Sequence, residues 1–313
     1  MIVPIYVHYD TTNQPWGGIN SFFRAFKEHI NGREDCRLVR EIDDDYKILL
    51  MGANAYGRVE RIKYSDIEEV KRRGIKIVHR LDGLRSKYTK NKRFSEGDLK
   101  QVELASLADH IVFQSRSCYD VFKGVGLSSD KYSIVSNGVN QEVFKPRVQC
   151  KDRKELWVLS ASWSNNINKG FETIAKMSEI PGIHSFFVGN WCKEVDSKSV
   201  TILEPMTSDA LAQCYKTCDV FLHAAEGDPC PNVVLEALSS GLPIIYHNSG
   251  GTPEIVRGCG TPLSEDKTLK EVLDIMRDSY SKLLTKVQEN MMYFSIGFSA
   301  DQYIKIFKQV LKR

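Results

Sequence analysis

The chain contains one short stretch, Asp228 to Gly241 (DPCPNVVLEALSSG), in which two acidic side chains flank the predicted start of a helix. Pro231 suits the first turn of that helix, where a residue without an N–H group loses nothing. Amides of a first turn lack partners within the helix and lie at the positive end of its dipole, so they favour a bound phosphate. The candidate donors are the main-chain N–H groups of Cys230, Asn232, Val233 and Val234.

The two acids, Asp228 and Glu236, lie on either side of these amides. Ionised carboxylates accept hydrogen bonds from hydroxyl groups, so the pair is suited to sugar or ribose hydroxyls. A phosphate flanked by such hydroxyls is typical of a nucleotide sugar. The alternative from these residues alone is that Asp228 only caps the helix while Glu236 faces solvent.

Secondary-structure elements along the whole chain must position this stretch. Short apolar runs alternate with amphipathic ones, and this pattern predicts parallel sheets with helices on both faces. Strands are expected at 2–8, 47–53, 75–79, 110–114, 132–135, 156–162, 184–189, 200–203, 219–225 and 242–247. Helices are expected at 18–30, 65–74, 207–217 and 301–312, from Gly170, and after Pro231. A polar stretch after residue 146 separates two halves, so we expect an α/β protein with domains over 1–147 and 148–295.

Length, composition and charge exclude several classes of protein. The 313 residues exceed what one hydrophobic core usually serves, and 42% hydrophobic with 27% charged residues is a globular composition. A formal net charge of +3 is too small for a dedicated nucleic-acid binder. The eight cysteines include no CxxC pair and are expected to be reduced thiols, which favours a cytoplasmic location.

The stretch from Asp228 onward resembles the signature of retaining glycosyltransferases of family 4, which have the GT-B fold. The resemblance is carried by the seven-residue spacing from Asp228 to Glu236, LEA at 235–237, GLP at 241–243 and GGTPE at 250–254. The family usually has Glu at the first acidic position, where this chain has Asp228; Glu226 is the other candidate. The resemblance implies two Rossmann-like βαβ domains facing a central cleft, with a nucleoside-diphosphate sugar held by the C-terminal domain. It also implies an acceptor-binding N-terminal domain and a C-terminal helix, 296–313, that crosses back to it.

The same resemblance implies roles for residues before the second domain. PWGGIN (15–20) matches the family's glycine-rich loop, so Gly17 and Gly18 would approach the donor closely. VHRLDG (78–83) matches a strand end that bears a histidine, which would place His79 beside the transferred sugar and Asp82 near the acceptor.

Further residues of the second domain match the donor site of the family. NKG (168–170) retains the lysine that faces the donor phosphates, Lys169, whereas the usual arginine several residues earlier is missing. VGNW and LEPM, which contain Asn190 and Met206, resemble the segments that hold the nucleotide base. Catalysis would then rest on His79, Lys169, Asp228 and Glu236.

The implied reaction is transfer, with retention and without a metal or other cofactor, from a nucleotide sugar to a glycan, a lipid-linked acceptor or another hydroxyl. The basic run RSKYTKNKR (85–93) suits peripheral contact with an anionic membrane surface or an acidic glycan, although most such runs are solvated loops.

Other functions remain open from the sequence. A non-catalytic binder of sugar nucleotides is compatible with the missing arginine, and a GT-B sugar-nucleotide epimerase has the same fold. A metal-dependent transferase would use the acids at 43–45, which precede a strand as a charged turn does. The glycine pattern GVGLSS (124–129) follows a helix rather than a strand, so it does not fit an NAD site.

Overall fold

The computed structural model describes residues 2–12, 17–42, 44–52, 64–87, 94–146 and 154–313. The chain forms two compact units. Each unit contains a six-stranded sheet, and every strand pairing in both sheets is parallel. The predicted α/β class is therefore confirmed.

The first unit comprises Met1–Thr12, Phe22–Asn137 and Ile296–Arg313. Its strands, in the sheet order β2-β1-β3-β4-β5-β6, are β1 Val3–His8, β2 Cys36–Val39, β3 Ile48–Gly52, β4 Lys76–Leu81, β5 His110–Phe113 and β6 Tyr132–Ile134. Its helices include α2 Tyr64–Arg72, α3 Glu96–Leu107, α4 Arg116–Lys123, α10 Ile296–Val310 and most of α1 Gly17–Asn31. The central strand β3 is buried at every residue, as expected for a parallel sheet covered on both faces.

The last helix, α10, is part of the first unit. The Tyr303 ring lies with its centroid 5.4 Å from that of Phe26 and 5.9 Å from that of Phe22, both on α1. At the surface, Lys308 Nζ lies 2.7 Å from Asp35 Oδ2. The aromatic contacts bury one face of the helix, which agrees with the apolar spacing of its sequence.

The second unit comprises Asn13–Ser21 and Gly138–Ser295. Its strands, in the sheet order β12-β11-β10-β7-β8-β9, are β7 Leu156–Ser162, β8 Ile183–Gly189, β9 Thr201–Leu203, β10 Val220–His223, β11 Ile244–His247 and β12 Gly260–Leu263. Its helices include α5 Phe171–Ser178, α6 Ser208–Thr217, α7 Asn232–Ser239, α8 Thr252–Val256 and α9 Leu269–Asn290. Strands β7 and β10 are neighbours in this sheet. From β7 the chain continues through β8 and β9 to one edge, and from β10 through β11 and β12 to the other edge. The sheet therefore has a topological switch point between β7 and β10.

The chain enters the second unit at Gly138, ahead of the expected boundary at 147, because Val139 and Phe144 pack into the core of that unit. The expected boundary itself falls within 147–153, outside the described residues. We propose that the functional division of the chain follows these two units.

The elements without a predicted range include two strands and the long helix α9. Strand β2 lies at one edge of the first sheet and β12 at one edge of the second, and they carry a charged residue, Arg37, and a proline, Pro262, respectively. Pro is tolerated on an edge because no neighbouring strand needs its N–H. Helix α9 begins with a capping box formed by Thr268 and Glu271, a start signal that the sequence contains.

Candidate functional site

The switch point of the second sheet places several loops together. Because parallel strands end at the same edge, the loops that follow β7, β10 and β11 meet beside one another there. These loops contain Lys169, Asp228 and the glycines at 250 and 251. The geometry therefore brings together chain segments that are far apart in sequence.

Two glycines allow the loops to pack closely. Gly170 has φ +76°, and a Cβ there would overlap the carbonyl oxygen of Ala224. Gly250 has φ +63°, and a Cβ there would overlap the carbonyl oxygen of Asp228. Since only glycine fits both the backbone angle and the space, these two residues fix the loop after β10 between its neighbours.

Lys169 and Asp228 form an ion pair at the centre of this arrangement. Lys169 Nζ lies 2.9 Å from Asp228 Oδ2, and the two side chains are only 28% and 16% exposed. Asp228 Oδ1 also accepts a hydrogen bond from the Cys230 amide at 3.3 Å. The sequence predicted both residues for the site but did not predict their contact, because they are 59 positions apart.

The Asp228 carboxyl remains an acceptor at neutral pH. Burial acts to raise its pKa, but the nearby Lys169 and His223, with the hydrogen bonds to Lys169 and Cys230, outweigh burial and lower the pKa below its usual value. An ionised carboxylate beside an ammonium group can hold a hydroxyl while the ammonium faces a phosphate.

The helix that follows, α7, begins at Asn232, one residue later than Pro231. Two of the four predicted phosphate donors have internal acceptors: the Cys230 amide donates to Asp228, and the Val234 amide donates to the Pro231 carbonyl at 3.1 Å. A phosphate at this helix end would compete with those bonds. The amides of Asn232 and Val233 lie in the first turn as predicted.

The glycines near the N-terminus lie against the start of α7. Gly17 and Gly18 open α1 and belong to the second unit. The side-chain Nδ2 of Asn232 donates to the Gly18 carbonyl at 2.7 Å, and a Cβ on Gly18 would lie 3.4 Å from the Asn232 side chain. Gly18 therefore lies close to Asn232, and the approach of the two glycines to a donor stays a prediction. Pro15 lies outside the described residues.

Glu236 is buried, with only 6% of its surface exposed. The alternative in which Glu236 faces solvent is therefore wrong. Tyr215 Oη lies 3.2 Å from Glu236 Oε2 and 3.1 Å from the Val233 carbonyl oxygen. Burial, followed by the charge of Glu236, raises the pKa of Tyr215 well above its usual value, so the phenol keeps its proton. Sequence reasoning missed Tyr215, which lies on α6 with no motif around it.

The two residues predicted near the nucleotide base lie in different surroundings. Asn190 follows β8, next to β7 in the sheet, and its Nδ2 donates to the Trp163 carbonyl at 2.6 Å. Met206 lies beyond the edge strand β9, and its sulfur is 3.7 Å from Cys214 Sγ. Asn190 is thus fixed to the loop that leads to Lys169, whereas Met206 packs against α6.

The remaining predicted residues lie in the first unit. His79 is wholly buried within β4, where neither ring nitrogen has a hydrogen-bond partner among the described residues. Asp82 follows the same strand and accepts hydrogen bonds from Arg80 Nη1 at 2.6 Å and from Gln114 Nε2. Arg80 also donates to Asn137 at 2.8 Å, so Asp82 is part of a polar network at the strand ends.

The buried His79 predicts a pH dependence of stability. Burial lowers the pKa of His79 from 6.5 to about 3. Below pH 6.5 the unfolded chain takes up a proton that the folded chain does not, so stability should fall toward acid by about 1.4 kcal/mol per pH unit. Urea unfolding at pH 6 and pH 5 should show a loss in the wild type about 1 kcal/mol larger than in His79→Leu. Equal losses would show that folded His79 takes up the proton.

Within the described ranges, no group of three or more His, Cys, Asp or Glu side chains could hold a metal ion. Asp43 lies outside those ranges, and Asp44 accepts hydrogen bonds from the amides of Arg40 and Glu41, as in a turn before a strand. No helix among the described residues is long and apolar enough to cross a membrane.

Comparison with known proteins assigns the segment that carries the site. Residues 166–278 match the family described as "Glycosyl transferases group 1". The "Sulfoquinovosyl transferase SQD2" of Arabidopsis thaliana is 25% identical over 152 residues, which are 44% of this chain and 30% of that protein. The present chain thus matches less than half of the length of this relative.

Solved structures share the fold over nearly the whole chain. Sucrose-phosphate synthase from Thermosynechococcus elongatus has a TM-score of 0.73 at 16% identity, covering 99% of both chains. Anabaena Alr3699/HepE, solved in complex with UDP and glucose, has a TM-score of 0.70 at 13% identity, covering 98% of this chain and 100% of the other. The fold is therefore that of the GT-B glycosyltransferases, and residues 166–278 match the glycosyl transferases group 1 family.

Proposed function

We propose that this chain, with its glycosyltransferase group 1 segment, transfers a sugar from a nucleoside-diphosphate sugar to a hydroxyl group of a glycan or lipid-linked acceptor. The observation that carries the proposal is the Lys169–Asp228 pair at the switch point, which lies inside the matched segment. The ammonium group suits a diphosphate, and the ionised carboxylate suits the sugar hydroxyls.

The proposed chemistry is mainly electrostatic. As the bond between sugar and diphosphate breaks, negative charge develops on the diphosphate, where Lys169 and the first-turn amides of α7 would stabilise it. Asp228 would hold sugar hydroxyls, and Glu236, kept in place by Tyr215, would hold the ribose or the adjacent sugar. In this proposal the anomeric configuration is retained and no metal is needed.

A uridine nucleotide is the first donor to test, because HepE, which shares the fold, was solved with UDP and glucose. Thermal unfolding should be followed with UDP, GDP, UDP-glucose and GDP-mannose, each at a range of concentrations. A ligand that binds only the native state raises the melting temperature. The rise increases with the ratio of the free ligand concentration to its Kd. The absence of a shift with all four would contradict the proposal.

Transfer itself is tested with the donor that binds and a panel of glycan and lipid-linked acceptors. Removing divalent cations with EDTA is expected to leave the rate within about twofold, since Lys169 is proposed to provide the charge that a metal would otherwise supply. A rate abolished by EDTA and restored by Mg²⁺ or Mn²⁺ would contradict metal independence. The anomeric configuration of the product, read by NMR, tests retention.

The same assay separates the two alternatives. A sugar-nucleotide epimerase would release the free sugar epimer without any acceptor. A non-catalytic binder would bind the donor with neither transfer nor hydrolysis.

A cytoplasmic location with peripheral contact to an anionic membrane, through the basic run at 85–93, completes the proposal. Residues 88–93 of that run lie outside the described residues. Co-sedimentation with phosphatidylserine vesicles tests the contact, which should weaken as salt rises.

A further inference from the structure

His223, the last residue of β10, is a buried histidine with no role in the proposal so far. It is 5% exposed, and its Nε2 has no hydrogen-bond partner among the described residues. It pairs in register with Tyr246 on β11. A buried ring nitrogen without a partner destabilises the folded chain, so its presence at a strand end calls for an explanation.

The position of His223 gives that explanation. β10 is one of the two strands at the switch point, and the loop that leaves His223 leads within five residues to Asp228. The charged and titratable groups that act electrostatically on the His223 ring are Asp228, Lys169 and His247, from the loops or strands on either side. The His223 ring is therefore within electrostatic reach of the Lys169–Asp228 pair.

Two other histidines have a side-chain hydrogen-bond partner. His247, on the next strand, has Nδ1 2.8 Å from Ser249 Oγ, and His110 in the first unit has Nε2 2.9 Å from Ser133 Oγ. The ring nitrogens of His79 also have no hydrogen-bond partner among the described residues, but His79 is not at a strand end, because two more residues of β4 follow it. His223, in contrast, ends its strand at the switch point, which is the edge of the sheet where open α/β proteins bind ligands.

We propose that His223 is a specificity residue whose Nε2 bonds a hydroxyl of the donor sugar, next to the hydroxyls held by Asp228. This inference rests on the proposed function and adds a third side chain to the sugar site. Burial lowers the pKa of His223 to about 4, so the ring is neutral at physiological pH. A hydroxyl both donates and accepts hydrogen bonds, so it can pair with either tautomer of the neutral ring.

The test compares His223→Phe, which keeps a ring of similar size without nitrogen, with His223→Gln, whose amide can occupy the place of Nε2. Dissociation constants are measured for UDP and UDP-glucose, and for GDP and GDP-mannose. His223→Phe should weaken the sugar nucleotide about tenfold and leave the nucleoside diphosphate within about twofold. His223→Gln should recover most of the loss. His184→Ala, a half-exposed histidine on β8, should change neither constant.

Stability separates a ligand contact from a structural role. If Nε2 awaits a ligand, His223→Phe should keep or slightly raise the melting temperature of the free protein, because it removes an unsatisfied nitrogen. Equal weakening of diphosphate and sugar nucleotide, or unchanged binding of both, would overturn the inference. Wild-type protein that binds none of the four probes would overturn the proposed function, and this inference with it.

Discussion

Lys169→Met is expected to lower kcat by about two to three orders of magnitude, as removal of a preorganised group facing developing charge does in other enzymes. Methionine keeps much of the aliphatic chain and removes the ammonium group. The loss should appear in kcat more than in KM, since the charge on the diphosphate grows as the bond breaks. Steady-state kinetics with the donor identified by thermal shift measure both constants.

The ion pair complicates this variant, because Lys169→Met leaves the carboxylate of Asp228 largely buried and without its cation. We expect a loss of about 1–3 kcal/mol in the free energy of unfolding. The double variant Lys169→Met with Asp228→Asn should recover most of that stability and none of the activity. Recovery of activity in the double variant would contradict a role for Lys169 in the chemistry.

Glu236→Gln is expected to lower kcat/KM by about a hundredfold. The substitution keeps the shape of the side chain and removes the charge, and a hydrogen bond to a charged group contributes about 1.5–3 kcal/mol. The free protein should remain folded, because the amide oxygen can still accept from Tyr215 at the same place. Donor affinity from calorimetry and kcat/KM from kinetics measure the effect.

Tyr215→Phe is the matched control for Glu236→Gln. It removes the hydroxyl that faces Glu236 and the Val233 carbonyl but leaves the carboxylate charged. A positioning role predicts a fall in kcat/KM of about tenfold with a normal pH profile. If Tyr215→Phe lowers activity as much as Glu236→Gln, the carboxylate does not act on the donor directly.

The sequence predicted the repeating elements well for a physical reason. Strands such as β3 and β7 are short runs of apolar residues between amphipathic segments. Such a run can be recognised from neighbouring residues alone, because it reflects the burial of that segment. Strands β2 and β12 were not predicted, because an edge strand tolerates charge or proline and these two carry Arg37 and Pro262. The capping box of Thr268 and Glu271 is a local signal from which the start of α9 can be predicted.

The sequence was sufficient to propose residues for the candidate site, but it did not predict the contacts between them. Lys169, Asp228 and Glu236 were identified from local motifs and from resemblance to a family. The pairing of Lys169 with Asp228 depends on two loops meeting at a switch point, which no local window contains. The partners of Glu236 and the isolated nitrogen of His223 follow from packing across α6, α7 and β10, so they could not be read from spacing.

The placement of α10 has a consequence for biosynthesis. The hydrophobic rings of α1 that contact Tyr303 emerge from the ribosome long before residues 296–313 are translated. Until then Phe22 and Phe26 lack a covering surface that they have in the finished protein. The amino-terminal sheet should therefore reach its final stability only once α10 has emerged from the ribosome, and nascent chains stalled before α10 should be sensitive to protease and recruit holdase chaperones.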